Sequence, residues 1–97
     1  MKLSEEAHLV LISLAGAPKH GYAMTLDIAR FAGRQLRPGT LYGAIARLES
    51  WGYIEPLEGE ERRRPYRLTN RGARALRTSI EAQSRVSAAA RRRLAMR

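Results

Sequence analysis

Ninety-seven residues, 44% of them hydrophobic, suffice for one small domain with a modest core and not for two. Without cysteine the chain has neither disulfides nor thiolate metal sites, a composition compatible with a reducing cytoplasm. The net charge of +9 is uneven, because residues 1–61 carry six Lys or Arg against eight Asp or Glu while residues 62–97 carry twelve arginines against Glu81 alone, a field that attracts polyanions.

Ser4 is placed to cap a first helix, with Glu5 and Glu6 in the first turn, where the helix dipole favours negative charge, and Gly16 near its end. The apolar run over residues 9–17 is broken by Ser13 and Gly16 and is too short to cross a bilayer. Lys2 is followed by Glu5 and Glu6, not by the apolar run of a signal peptide. Within the helix Ala7, Val10, Leu11 and Leu14 form a stripe that Leu9 and Ile12 widen sideways. Such a helix packs on two sides. Core on one side and a partner subunit on the other account for it as well as full burial within one domain does.

After a break at Ala17, Pro18 and Lys19, His20-Gly21 leads into a second helix that Gly33 ends, with Met24, Ile28 and Phe31 on one face and Tyr22, Leu26 and Ala29 on another. Pro38 suits the first position of a third helix, whose Leu41, Ile45 and Leu48 point to the core. Opposite them lie Thr40, Gly43, Arg47 and Ser50, with Tyr42 and Ala46 at the margin. Trp51-Gly52-Tyr53 closes this helix through a glycine cap, and residues 53–57 read as a short strand whose Pro56 marks an edge. A polar loop over residues 58–65 leads to Tyr66-Arg67-Leu68, which alternates as a second strand. Thr69 or Asn70 caps a last helix, in which Leu76, Ile80, Gln83, Ser87, Ala90 and Leu94 recur at alternating spacings of four and three.

The expected fold is therefore mainly α with a small β-hairpin: a winged helix-turn-helix over residues 3–72, followed by a C-terminal dimerisation helix over residues 73–97. This architecture lays one helix in the DNA major groove and the hairpin against the adjacent backbone. Arg47 is the candidate for base readout, since a guanidinium bonds guanine O6 and N7 together. The bland alternative is a surface arginine paired with a nearby glutamate. Thr40 and Tyr42 bring hydroxyls to a helix N-terminus that favours phosphate, although Tyr42 could simply pack. Arg62, Arg63 and Arg64 on the hairpin suit phosphates or a narrow minor groove, against the ordinary reading of a solvated loop. His20 fits a hydrogen bond at a helix start better than a metal site, and His8, inside an apolar helix, reads as structural. Trp51 reads as core, with stacking on an aromatic ligand as the alternative.

Four motifs in this order resemble the PadR family of bacterial transcriptional regulators, in its short form with one C-terminal helix. His20-Gly21-Tyr22 is similar to the family's HGY, and Pro38-Gly39-Thr40-Leu41-Tyr42 to its PGTLY. Arg47-Leu48-Glu49 with Gly52-Tyr53-Ile54 resembles RLE-x-x-G-x-I, and Arg62-Arg63-Arg64-Pro65-Tyr66-Arg67-Leu68-Thr69 with Gly72 resembles the arginine-rich wing end. Three positions depart from the pattern: Arg37 stands where a serine cap is usual, Gly43 where proline is common, and Pro65 where lysine is frequent. Arg37 cannot accept from the helix N–H groups as serine would, which leaves them free for a phosphate. Glu60 and Glu61 would repel phosphate, so the arginines are expected to turn to DNA.

The resemblance implies a homodimeric regulator of repressor type in the bacterial cytoplasm, at the nucleoid, binding double-stranded DNA at a palindromic operator. Arg37, Gly39, Thr40, Tyr42, Gly43, Arg47, Arg62, Arg63 and Arg64 are the expected DNA-binding residues, and Leu9, Ile12, Leu76, Ile80, Gln83, Ser87 and Leu94 the expected dimer contacts. No cofactor or metal is expected. Such regulators can sense small apolar or phenolic effectors at the dimer interface, and the sequence leaves an effector open. The competing classes are a winged-helix protein-interaction module with an incidental basic tail, and an RNA or membrane-surface binder. An enzyme does not fit, because no nucleophile set, metal-ligand cluster or phosphate loop is present.

Overall fold

Local capping sets the helices of the computed structural model, which describes residues 3–60 and 63–97. Their order is α1 (Glu5–Gly16), α2 (Gly21–Ala32), α3 (Pro38–Ser50), β1 (Ile54–Pro56), β2 (Tyr66–Leu68) and α4 (Asn70–Ala95). Ser4 Oγ accepts from the Ala7 N–H at 3.1 Å, and the His20 ring does the same for Ala23, so the histidine is a helix cap as its position suggests. Gly33 ends α2 with φ 65°. At the end of α3, Gly52 takes φ 75°, its N–H bonds Glu49 O, and the next N–H, of Tyr53, reaches back to Leu48 O at 3.0 Å. This paired closure turns the chain sharply from α3 into β1.

The hairpin is antiparallel, with Ile54 opposite Leu68, Glu55 opposite Arg67 and Pro56 opposite Tyr66. It is shorter than the expected residues 53–57 by one residue at each end of β1. It also has a third backbone partner that the sequence conceals. Lys19 and Tyr66 exchange both backbone hydrogen bonds, at 3.2 and 3.1 Å, so the break between α1 and α2 ties the wing to the helices. The Lys19 side chain caps the Ala17 carbonyl at 3.0 Å and lies 3.7 Å from Asp27, which in turn accepts from buried Ser13 Oγ at 2.7 Å. Among the described residues every buried side-chain nitrogen or oxygen finds a hydrogen-bond partner.

The core is built around α1. Ala7, Val10 and Leu11 are fully enclosed, and α1 packs against α2, α3, α4 and β2. Met24 and Ile28 meet it from α2, and Leu41, Ala44, Ile45 and Leu48 from α3. Ile54 and Leu76 complete the cluster. Leu76 is the last buried residue of the 26-residue α4, which at 1.5 Å per residue is about 39 Å long. Beyond it Ser79 and Gln83 still border α1, and only the end of the helix projects, so the radius of gyration of 14.8 Å exceeds the roughly 12.5 Å of a compact chain of this size.

His8 sits at the α1–α4 junction, its Nδ1 3.0 Å from Ser79 Oγ. Burial lowers its pKa from the ordinary 6.5. The unfolded chain then takes up the proton first, so this contribution to stability is complete above pH 6.5 and is lost as the pH falls toward the folded value. The melting temperature of the wild type is expected to fall between pH 8 and pH 5 by more than that of His8→Gln. Parallel profiles for the two proteins would contradict this assignment.

Candidate nucleic-acid interface

The α3 helix divides its residues cleanly. Leu41, Ala44, Ile45 and Leu48 are buried, while Arg37, Gly39, Thr40, Tyr42 and Arg47 are exposed and Gly43 is half-buried. Pro38 occupies the first turn and Arg37, in extended conformation, makes no side-chain cap. The first N–H groups of α3 therefore lack the side-chain acceptor that serves α1, α2 and α4. The Arg47 guanidinium folds back over Gly43, where a Cβ would lie in ordinary contact, 3.7 Å from Arg47 Nη1. Among the described residues Arg47 joins no ion pair, and the surface pair with a glutamate is not formed.

The wing follows α3 directly, and its β1 strand packs against that helix. Leu57 N–H bonds Pro65 O at 2.8 Å and Arg63 N–H bonds Glu60 O at 2.9 Å, which closes the loop. Arg63 is exposed and Arg64 half-buried. Arg62 and Glu61 lie outside the described residues. Arg67 is neutralised across the hairpin by Glu55, an exposed pair of small energetic weight. Arg63 and Arg64 have no such partner among the described residues. Burial raises the Tyr66 phenol above its usual pKa, with Glu49 adding to the shift and Arg64 opposing it.

Trp51 meets Tyr53 edge-on at 5.8 Å, with the Arg71 guanidinium 5.8 Å from the Tyr53 ring centre. It packs at the α3–β1 corner, as a core role requires.

The residues expected at a dimer contact separate into two groups. Leu9 and Leu76, at 8% and 7% exposure, already belong to the protomer's own core. The first joins that core from α1 and the second from the base of α4. Ile12 is half-buried, and Ile80, Gln83, Ser87 and Leu94 are exposed. The sequence reading missed Val86, 71% exposed, which with Ala82, Gln83 and Ser87 lines a groove along α4. Its offset from the four-three repeat hid it. Phe31 is also 44% exposed. It lines a cavity of about 620 Å³ with Leu9, Ile12 and Gln83, because the end of α2 runs past α1.

Among the described residues no group of His, Cys, Asp or Glu is arranged to hold a metal ion, and no helix is long and apolar enough to cross a membrane.

A family model described as the transcriptional regulator PadR-like family matches residues 10–78. The chain is 41% identical over 87 residues to an uncharacterised 37.1 kDa protein of transposon TN4556 from Streptomyces fradiae, covering 90% of this chain and 25% of that protein. It therefore spans a quarter of the length of that relative. A transcriptional regulator from Clostridium thermocellum superposes with a TM-score of 0.79 at 29% identity, over 89% of each chain. A PadR family transcription regulator from Clostridium difficile superposes with a TM-score of 0.79 at 26% identity, over 94% of this chain and 99% of its own.

Proposed function

Since the chain belongs to the PadR-like family of transcriptional regulators, we propose that it binds a palindromic DNA operator as a homodimer and represses by occupying it. The observation that carries this reading is the division of α3 into a core face and an exposed face, with Arg47 on the exposed face and Arg63 and Arg64 on the wing all lacking a carboxylate partner among the described residues. Residues 3–72 form the DNA-binding unit. Arg47 reads a base edge, Arg37, Gly39, Thr40, Tyr42 and Gly43 meet the backbone, and Arg62, Arg63 and Arg64 grip phosphates from the wing. Residues 73–97 pair two protomers through Ile80, Gln83, Val86, Ser87 and Leu94, with Ile12 beside them, and the regulator works at the nucleoid of the cytoplasm.

A two-fold dimer that sets two α3 helices on one duplex face requires half-site centres about 10 bp apart or a multiple of that. Sedimentation of the protein with duplexes of graded spacing is expected to give two protomers per duplex, a spacing optimum and an affinity that falls steeply with salt. A monomer whose binding ignores spacing would contradict the dimer. The rival reading, an interaction module with a basic tail, draws on the eight arginines of residues 70–97, all exposed. Gln at Arg91, Arg92 and Arg93 separates the two, because only the rival predicts that this change removes DNA binding.

A further inference from the structure

Gly21 is buried at the first position of α2, yet its backbone does not call for glycine, since its φ is that of an ordinary helical residue. What requires glycine is the space above it. A Cβ at Gly21 would lie 2.6 Å from Tyr42 Oη and 2.9 Å from Cζ. Both atoms are at the far end of a flexible side chain, so an added methyl displaces the tyrosine and leaves the backbone in place. Tyr42 projects from α3 across to the start of α2, where it borders a cavity of about 250 Å³ shared with Tyr22, Thr25 and Pro38. It is 48% exposed, and its hydroxyl donates to no acceptor among the described residues.

We propose that Gly21 is a positioning residue for DNA binding: by lacking a side chain it seats the Tyr42 ring against α2 and holds the hydroxyl ready to donate to a phosphate oxygen. The inference rests on the reading of α3 as the DNA-contacting helix. A ring with only two rotatable bonds, already seated, loses little freedom when it meets the backbone. A contact of this kind positions the protein without reading sequence.

The test compares wild type, Gly21→Ala, Tyr42→Ala and the double variant for affinity to a selected duplex and for melting temperature. A hydrogen bond to a charged phosphate sets the scale at about tenfold. Gly21→Ala and Tyr42→Ala are each expected to lose about that much, the double variant no more than Tyr42→Ala alone, and all to melt within a few degrees of wild type. In the free wild-type protein, contacts between the Gly21 Hα and the Tyr42 ring should appear in nuclear Overhauser spectra, and their absence overturns the seat whatever the variants do. An equal loss from Gly21→Ala with and without Tyr42 overturns it as well. Full affinity in Tyr42→Ala, with Arg47→Gln still weakened, overturns the inference and leaves the α3 reading standing. Full affinity in both removes the α3 reading too.

Discussion

Gly72→Ala is expected to melt roughly 12–24 °C below the wild type, the equivalent of about 3 kcal/mol at the upper end of overpacking costs. Gly72 is buried in the first turn of α4. A Cβ there would run into the Tyr53 carbonyl oxygen and come within 2.9 Å of Leu68 Cδ1. The obstacle is backbone, and that backbone is held from several directions. Tyr53 O already accepts from the Thr69 N–H at 3.1 Å, and Thr69 Oγ1 donates to Gly52 O at 2.6 Å while accepting from the Gly72 N–H at 3.0 Å. One corner therefore joins the end of α3, the end of the wing and the start of α4, and a shift to admit a methyl group breaks its hydrogen bonds. Gly16 is the control, because nothing lies within 4 Å of a Cβ there. Gly16→Ala is expected to match the wild type or exceed it by up to about 1 kcal/mol. Circular-dichroism melts of the two variants decide the matter, and a Gly72→Ala protein that melts with the wild type would show that the corner yields.

Arg47→Gln is expected to weaken binding to the preferred duplex by roughly 5- to 150-fold and to relax selectivity at one base position, the signature of a missing bidentate pair. The side chain is exposed, lies over Gly43 and is not held by a carboxylate among the described residues. No ion pair need break before it binds. Gln at Arg63 and Arg64 should behave differently. In the proposed role they meet phosphate, so affinity is expected to fall for preferred and scrambled duplexes alike, and the salt slope by about 0.9 for each phosphate that is no longer neutralised. Titrations of both variants on both duplexes at several salt concentrations separate the roles. Selectivity unchanged in Arg47→Gln would remove that residue from base readout.

Much of this arrangement could be read in the chain before any coordinates, for physical reasons that differ by element. The α3 stripe of Leu41, Ile45 and Leu48 follows the helical repeat, and Ser4, His20 and Thr69 are cap residues whose role depends on the next few backbone N–H groups alone. What stayed hidden depends on partners far apart in sequence. The Lys19–Tyr66 bridge is one residue long on its first strand, so it has no alternation to detect. Ser13 and Asp27 meet only because α1 crosses α2. Leu76 has the spacing of a pairing seam but is drawn into the core by the corner at Gly72, whereas Val86, outside the seam, is left exposed. Ala44 is too small to mark a stripe and is nonetheless fully enclosed. Local rules set the elements, and the crossing of the helices decided which faces stayed open.

On the proposed reading α3 and the wing, not the arginine-rich end of α4, form the DNA-binding surface. Amide NMR spectra of the full chain, recorded with and without a duplex selected from a random pool, test it directly. Shifts are expected to concentrate at Thr40, Tyr42, Gly43, Arg47, Arg63 and Arg64. Shifts confined to Arg85, Arg91, Arg92, Arg93 and Arg97, with α3 unmoved, would contradict it.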